Sequence, residues 1–112
     1  TISNFQAVKF MLAEMAMMIY NMESIVYRTA VDYDLGKDIS HQSAIVKLYC
    51  SESLDKIADY AVQIHGGMGY SRELPIERFY RDSRINRIFE GTNEIQKGII
   101  AREVIKKNGV LF

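Results

Sequence analysis

Residues 5–26 read FQAVKFMLAEMAMMIYNMESIV, and their spacing decides the fold. Phe5, Val8, Leu12, Met15, Ile19, Met22 and Val26 follow at intervals that alternate between three and four residues. A strand would repeat every second residue; only a helix returns to one face at three and four. Met11, Met17 and Met18 widen the apolar surface. Methionines at this spacing belong to a core or a helix–helix seam more readily than to a ligand surface. Gly36 stands where helices commonly stop, since glycine accepts the left-handed backbone that closes a last turn. The spacing therefore predicts a first helix from about Ser3 to Leu35, roughly 50 Å long.

Downstream, Asp38 or Ser40 can cap a second helix. Val46, Cys50, Leu54, Ile57, Ala61 and Ile64 carry its stripe, and Gly66-Gly67 ends it. The connection is short, so the two long helices should be antiparallel neighbours. Gly66 to Gly69 reads as a glycine-rich turn. Pro75 suits the start of a short helix bearing Ile76, Phe79 and Tyr80. Arg81 to Phe89 reads as irregular or a helical turn. A last helix starts at Thr92 or Asn93, where Asn93 and Gln96 have capping-box spacing, and runs to about Lys106. No alternating strand pattern, repeat or linker interrupts this. The expected fold is all-α: an antiparallel helical bundle of two long helices plus a short and a terminal one, spanning 1–112 as one domain.

Composition narrows the function classes. The chain has 112 residues, 48% hydrophobic and 25% charged, near the globular average. Fourteen basic and fourteen acidic residues give no net charge, so nothing points to nucleic acid. Cys50 is the single cysteine, which fits a reducing compartment, and with His41 and His65 it makes no metal set. The most apolar run, Phe10 to Tyr20, is broken by Glu14 and too short to span a bilayer. The chain begins inside a helical pattern without an initiator Met, as a piece cut from a longer protein would.

Glu90 is the best candidate for chemistry. It sits before Gly91 and a Thr-Asn helix start, on a turn at the mouth of a helix. One reading is a surface carboxylate favoured there by the helix dipole. The other is a general base, which needs apolar neighbours such as Ile88 and Phe89 and lets Gly91 admit a ligand closely. Gly66, Gly67 and Gly69 similarly read as a helix stop or as a close approach to a cofactor. Arg78, Arg81, Arg84 and Arg87 recur every third residue, as a solvated face paired with Glu77 and Asp82 would; four arginines could also hold a phosphate, but the spacing does not require it. His65 reads as a turn residue.

QIHGGMGYSRELPIERFYRD (Gln63 to Asp82) and RINRIFEGTNEIQ (Arg84 to Gln96) resemble the two landmark segments of the acyl-CoA dehydrogenase C-terminal domain. NFQAVKFMLAEMAM (Asn4 to Met17) is similar to the start of its long helix. Gln63, Gly66, Gly67, Gly69, Glu73, Arg78 and Asp82 all fit the longer signature. The resemblance implies a flavoenzyme that desaturates an acyl-CoA thioester between its α and β carbons, with Glu90 as the catalytic base. It implies FAD contacts from Gln6, from Thr92, Asn93 and Glu94, and from Gln63, Ile64, His65, Gly66 and Gly67 toward the flavin of a neighbouring subunit. Phe89, where the family more usually has Tyr, and Gly91 would line the substrate side. Acyl-CoA as substrate, an electron-transfer flavoprotein as acceptor and a homo-oligomer, dimer or tetramer, are implied as partners. The implied compartment is bacterial cytoplasm or mitochondrial matrix. The family's N-terminal helical and middle β-domains lie outside this chain, so alone it should hold FAD weakly and be inactive. An acyl-CoA oxidase-type relative and a non-catalytic assembly module are the competing readings.

Overall fold

In a computed structural model covering residues 1–112, the chain is all-α, with no strand, and elongated, 50 × 27 × 25 Å. Helix α1 spans Gln6–Asp34, α2 Ser40–His65, α3 Gly67–Tyr70, α4 Ile76–Arg84 and α5 Asn93–Lys106. Single 3-10 turns occupy Ile2–Asn4 and Ile85–Arg87. The first helix thus starts later than expected. Phe5 is extended (φ −73°, ψ 134°) and separates the opening turn from α1, leaving Gln6 as the first helical residue.

The expected antiparallel pair is formed, and polar contacts fix its register. Glu14 accepts from Lys56 Nζ and Tyr60 Oη, both at 2.8 Å. Asn21 donates to Tyr49 Oη at 3.1 Å, and Gln42 donates to Asp32 at 2.7 Å. As the α1 number rises the α2 number falls. Gly36 (φ +75°) ends α1 as predicted, with Lys37 N–H reaching back to the Asp32 carbonyl at 3.0 Å. The N-cap of α2 is Ile39, not Asp38 or Ser40 as expected, and no side chain caps it; Asp38 instead accepts from Ser40 N–H at 2.9 Å in the connection just ahead of the helix.

Helix α2 is the hub: α1, α3, α4 and α5 all pack on it, whereas α1 packs substantially on α2 alone. That asymmetry splits the apolar stripe of α1. Met18 is buried and Val8, Met11, Met15, Met22 and Ile25 are half-buried on the α2 side. Phe5, Leu12, Ile19 and Val26, seven residues apart, lie outward and are 43% to 66% exposed. A stripe at three and four is wide enough for two neighbours, and this chain provides one. Met17, expected inside, is exposed as well. The buried apolar side chains are only Met18, Ala44 and Ala58.

Two further expectations need correction. The glycine segment is not a plain turn, because Gly67–Tyr70 coils into α3, a single helical turn. Gly69 makes that possible: a Cβ there would lie 2.7 Å from His65 Cβ and 2.8 Å from the Val62 carbonyl oxygen, so α3 rests directly on the α2 backbone. Arg81–Arg84 extends α4, which Pro75 caps, and Ile85–Arg87 is a 3-10 turn, so of the irregular and helical-turn readings the helical one holds as far as Arg87. Nor do the arginines pair as expected. Glu77 and Asp82 form no ion pair; Arg87 reaches Asp55 at 3.2 Å on α2.

Candidate functional site

The segment from Ile88 to Glu94 carries the sequence-predicted chemistry, and its geometry starts from the helix that follows it. Thr92, not Asn93, caps α5: its Oγ1 accepts from Ile95 N–H at 3.3 Å. The capping box read from Asn93 and Gln96 is therefore absent, and both side chains are freed to turn inward.

Asn93 is 2% exposed. Its Oδ1 accepts from Lys47 Nζ at 2.7 Å, and its Nδ2 donates to Ser51 Oγ at 2.9 Å. Ser51 Oγ in turn donates to the Leu48 carbonyl at 3.1 Å. A buried polar cluster survives only if its members satisfy one another, which this one does. It bolts the start of α5 to the middle of α2. The Asn93 amide is consumed in that role and is buried, whereas Thr92 beside it is half-buried and Glu94 exposed. Gln96, also buried, points its Nε2 back at the carbonyls of Glu90 (3.3 Å) and Gly91 (3.4 Å).

Between these anchors, Glu90 (φ +56°) and Gly91 (φ +82°) are consecutive left-handed residues. Glycine adopts that region freely; for glutamate it costs roughly 1–2 kcal/mol. Outliers of this kind concentrate where the surroundings over-determine a functional conformation. Glu90 is exposed, and neither its carboxylate nor its backbone N–H is taken by any group of the chain. One residue thus presents a free acceptor and a free donor from a turn held from below. The apolar walls expected from Ile88 and Phe89 do not close over it: these are 50% and 47% exposed.

The other candidates lie elsewhere. Gln63, His65, Gly66 and Gly67 are exposed and Ile64 half-buried at the far end of α2. His65 Nδ1 donates to the Ala61 carbonyl at 2.7 Å, and His65 is the last residue of α2 rather than a turn residue as expected. Gly66 (φ +58°, ψ −144°) and Gly67 face open space, with no atom within 4 Å of an added Cβ. The antiparallel register puts Gln6 at this same end. Ser51, which holds Asn93, is roughly 18 Å along α2 from Gln63. The structure therefore forms two separate clusters, not one pocket. A groove of about 800 Å³ between α2 and α4 is lined by Asp59, Tyr70, Arg72, Tyr80, Arg81 and Arg84 and includes no member of either cluster.

Chemically, the residues suit the uncharged parts of a flavin better than its phosphates. The Glu94 carboxyl lies below the usual range because it accepts from its own N–H at the start of α5, with Lys97 adding attraction. An ionised carboxylate there accepts from N–H or O–H groups and repels phosphate. The bare backbone at Gly66 and Gly67 admits a flat group closely. Lys47 and Ser51 were not singled out from sequence, although their spacing of four on an otherwise apolar face marks a polar seam.

A family model described as "Acyl-CoA dehydrogenase, C-terminal domain" matches residues 1–105. The chain belongs to the acyl-CoA dehydrogenase family, in its C-terminal domain. It is 41% identical over 95% of its length to the caffeyl-CoA reductase-Etf complex subunit CarC of Acetobacterium woodii, of which it spans 28%. It superposes on butyryl-CoA dehydrogenase from Megasphaera elsdenii with a TM-score of 0.89 and 38% identity, covering 92% of this chain and 27% of that one. With the FAD complex of PigA the TM-score is 0.90 at 33% identity, over 95% and 28% of the two chains. The chain thus spans little more than a quarter of the relatives it matches.

Proposed function

We propose that this chain is the part of an FAD-dependent acyl-CoA dehydrogenase that supplies the catalytic base, Glu90, and part of the flavin surface. The observation that carries this is the left-handed turn at Glu90–Gly91, which presents an unpartnered carboxylate beside an unengaged N–H. An α-proton of a thioester is weakly acidic, so its removal needs a base and a donor on the thioester oxygen together. The Glu90 carboxylate takes the α-proton, and its N–H donates to the carbonyl oxygen on which charge develops. Gly91 keeps the approach open and Phe89 borders it. FAD, when bound, is the acceptor for the β-hydrogen, which departs with its electron pair and leaves a Cα=Cβ bond.

Thr92 and Glu94 face one flavin in this scheme. Gln6, Gln63, Ile64, His65, Gly66 and Gly67, grouped at the other end of α2, would face that of a second subunit. The outward seam of α1 would be covered in such a homo-oligomer. Similarity to an Etf-complex subunit supports an electron-transfer flavoprotein as redox partner, and that relative's being a reductase supports the reverse direction, in which Glu90 returns the proton. The chain by itself presents only one side of each flavin contact. Titrating it with FAD should therefore show weak binding without acyl-CoA-dependent bleaching.

The deciding experiment is Glu90→Gln in the full-length flavoprotein. Exchange of the substrate α-proton with solvent should fall by roughly two to four orders of magnitude, the span that general-base catalysis supplies. Acyl-CoA binding should persist. Undiminished exchange would remove Glu90 from the mechanism.

A further inference from the structure

Glu90 shares its left-handed backbone with one other non-glycine residue, Asn108 (φ +50°). Asparagine tolerates that region, and Asn108 lies just past the end of α5, a usual place for it. Glutamate has no such excuse, so something outside the residue must hold it. Its own side chain does not: it makes no contact that could. The backbone of 90 and 91 joins no helix.

The remaining support is Gln96. One amide nitrogen donates to two successive carbonyls, Glu90 at 3.3 Å and Gly91 at 3.4 Å. Its residue is only 9% exposed, and a Cβ on Gly91 would come within 2.9 Å of that nitrogen, so the amide lies directly against the turn. The helix carrying it cannot drift, because Asn93 ties its first turn to Lys47 and Ser51 of α2.

We infer that Gln96 is a positioning residue for the Glu90 base, acting through the backbone of the turn and touching neither substrate nor flavin. This rests on Glu90 being the base and names what aims it. Rotation of the turn toward ordinary φ would swing both the Cα–Cβ bond of Glu90 and its N–H, so the proton acceptor and the oxyanion donor would lose their places together. Misplacement by about 1 Å can cost a hundredfold in rate.

The test uses Gln96→Glu and Gln96→Met in the full-length flavoprotein. Both keep the side-chain length; Glu at neutral pH and Met at any pH lack the donor. The rate of flavin bleaching by saturating acyl-CoA should fall roughly tenfold to a hundredfold in both. KM should stay within about threefold, as expected when uniform binding is intact, and FAD content should be unchanged. The Gln96→Glu deficit relative to the unsubstituted protein should narrow as pH falls and the carboxyl regains a proton to donate, while that of Gln96→Met stays constant. Bleaching at the unsubstituted rate in either variant overturns the inference, as does a rate loss that only tracks lost FAD. Glu90→Gln measured alongside separates the two ideas. If it abolishes α-proton exchange while the Gln96 variants exchange normally, only the positioning role falls. If it exchanges normally, the base assignment falls and takes the positioning role with it.

Discussion

Replacing Asn93 by Ala tests whether one buried amide holds the start of α5. Truncation removes the acceptor of Lys47 Nζ and the donor to Ser51 Oγ. Ser51 keeps its bond to the Leu48 carbonyl, so Lys47 is the group left stranded. A hydrogen bond to a charged group contributes roughly 1.5–3 kcal/mol. Lys47 is half-buried, so water recovers part of this, and about 2 kcal/mol is the expected loss. At about 1.4 kcal/mol per factor of ten, the amides of α5 should lose roughly 30-fold in hydrogen-exchange protection. Exchange monitored by mass spectrometry over 93–106 reads this locally, with peptides from α1 as the unaffected control. Adding Lys47→Met removes the stranded cation. The double variant should then be less damaged than the two single effects predict, by at least about 0.5 kcal/mol of coupling. Protection within about threefold of the unsubstituted protein, or strict additivity in the double variant, would refute the anchoring role.

Two glycines of one segment should respond oppositely. Gly69→Ala drives a Cβ against the α2 backbone and should cost about 1–3 kcal/mol, whereas Gly67→Ala enters open space within a helix and should gain about 0.5–1 kcal/mol. Melting the flavin-free protein orders them, and the reverse order contradicts the close approach of α3 to α2. The Glu14 carboxyl is held below its ordinary value of 4.5 by hydrogen bonds from Lys56 and Tyr60. Its folded pKa is depressed, so the stability it adds is full above that ordinary value and lost as pH falls through the folded one. Glu14→Gln should flatten this acid limb in melts from neutral to acid pH, and an equally steep limb counts against the pair. Finally, Leu12→Glu with Ile19→Glu places charge on the outward seam of α1, where neither residue contacts α2 closely enough to be buried. Sedimentation should show a smaller assembly, and an unchanged one would mean another face joins the subunits.

The periodicity of α1 and α2, the stop at Gly36 and the short connection were enough to specify an antiparallel pair, because helical spacing and capping are local properties of the chain. Glu90 stood out for the same reason, as an acid next to glycine ahead of a helix start. Which half of the α1 stripe is covered could not be read from 5–26, since burial depends on how many neighbours a helix finds, and α1 finds one. The capping pattern misled at Asn93 because Thr92 meets the same local need and the amide gains more from Lys47 and Ser51, 46 and 42 residues away. The left-handed backbone at Glu90 is likewise a tertiary decision: glutamate has no preference for it, and only a buried Gln96 beneath the turn, on a helix fastened to α2, makes that conformation the one the chain adopts.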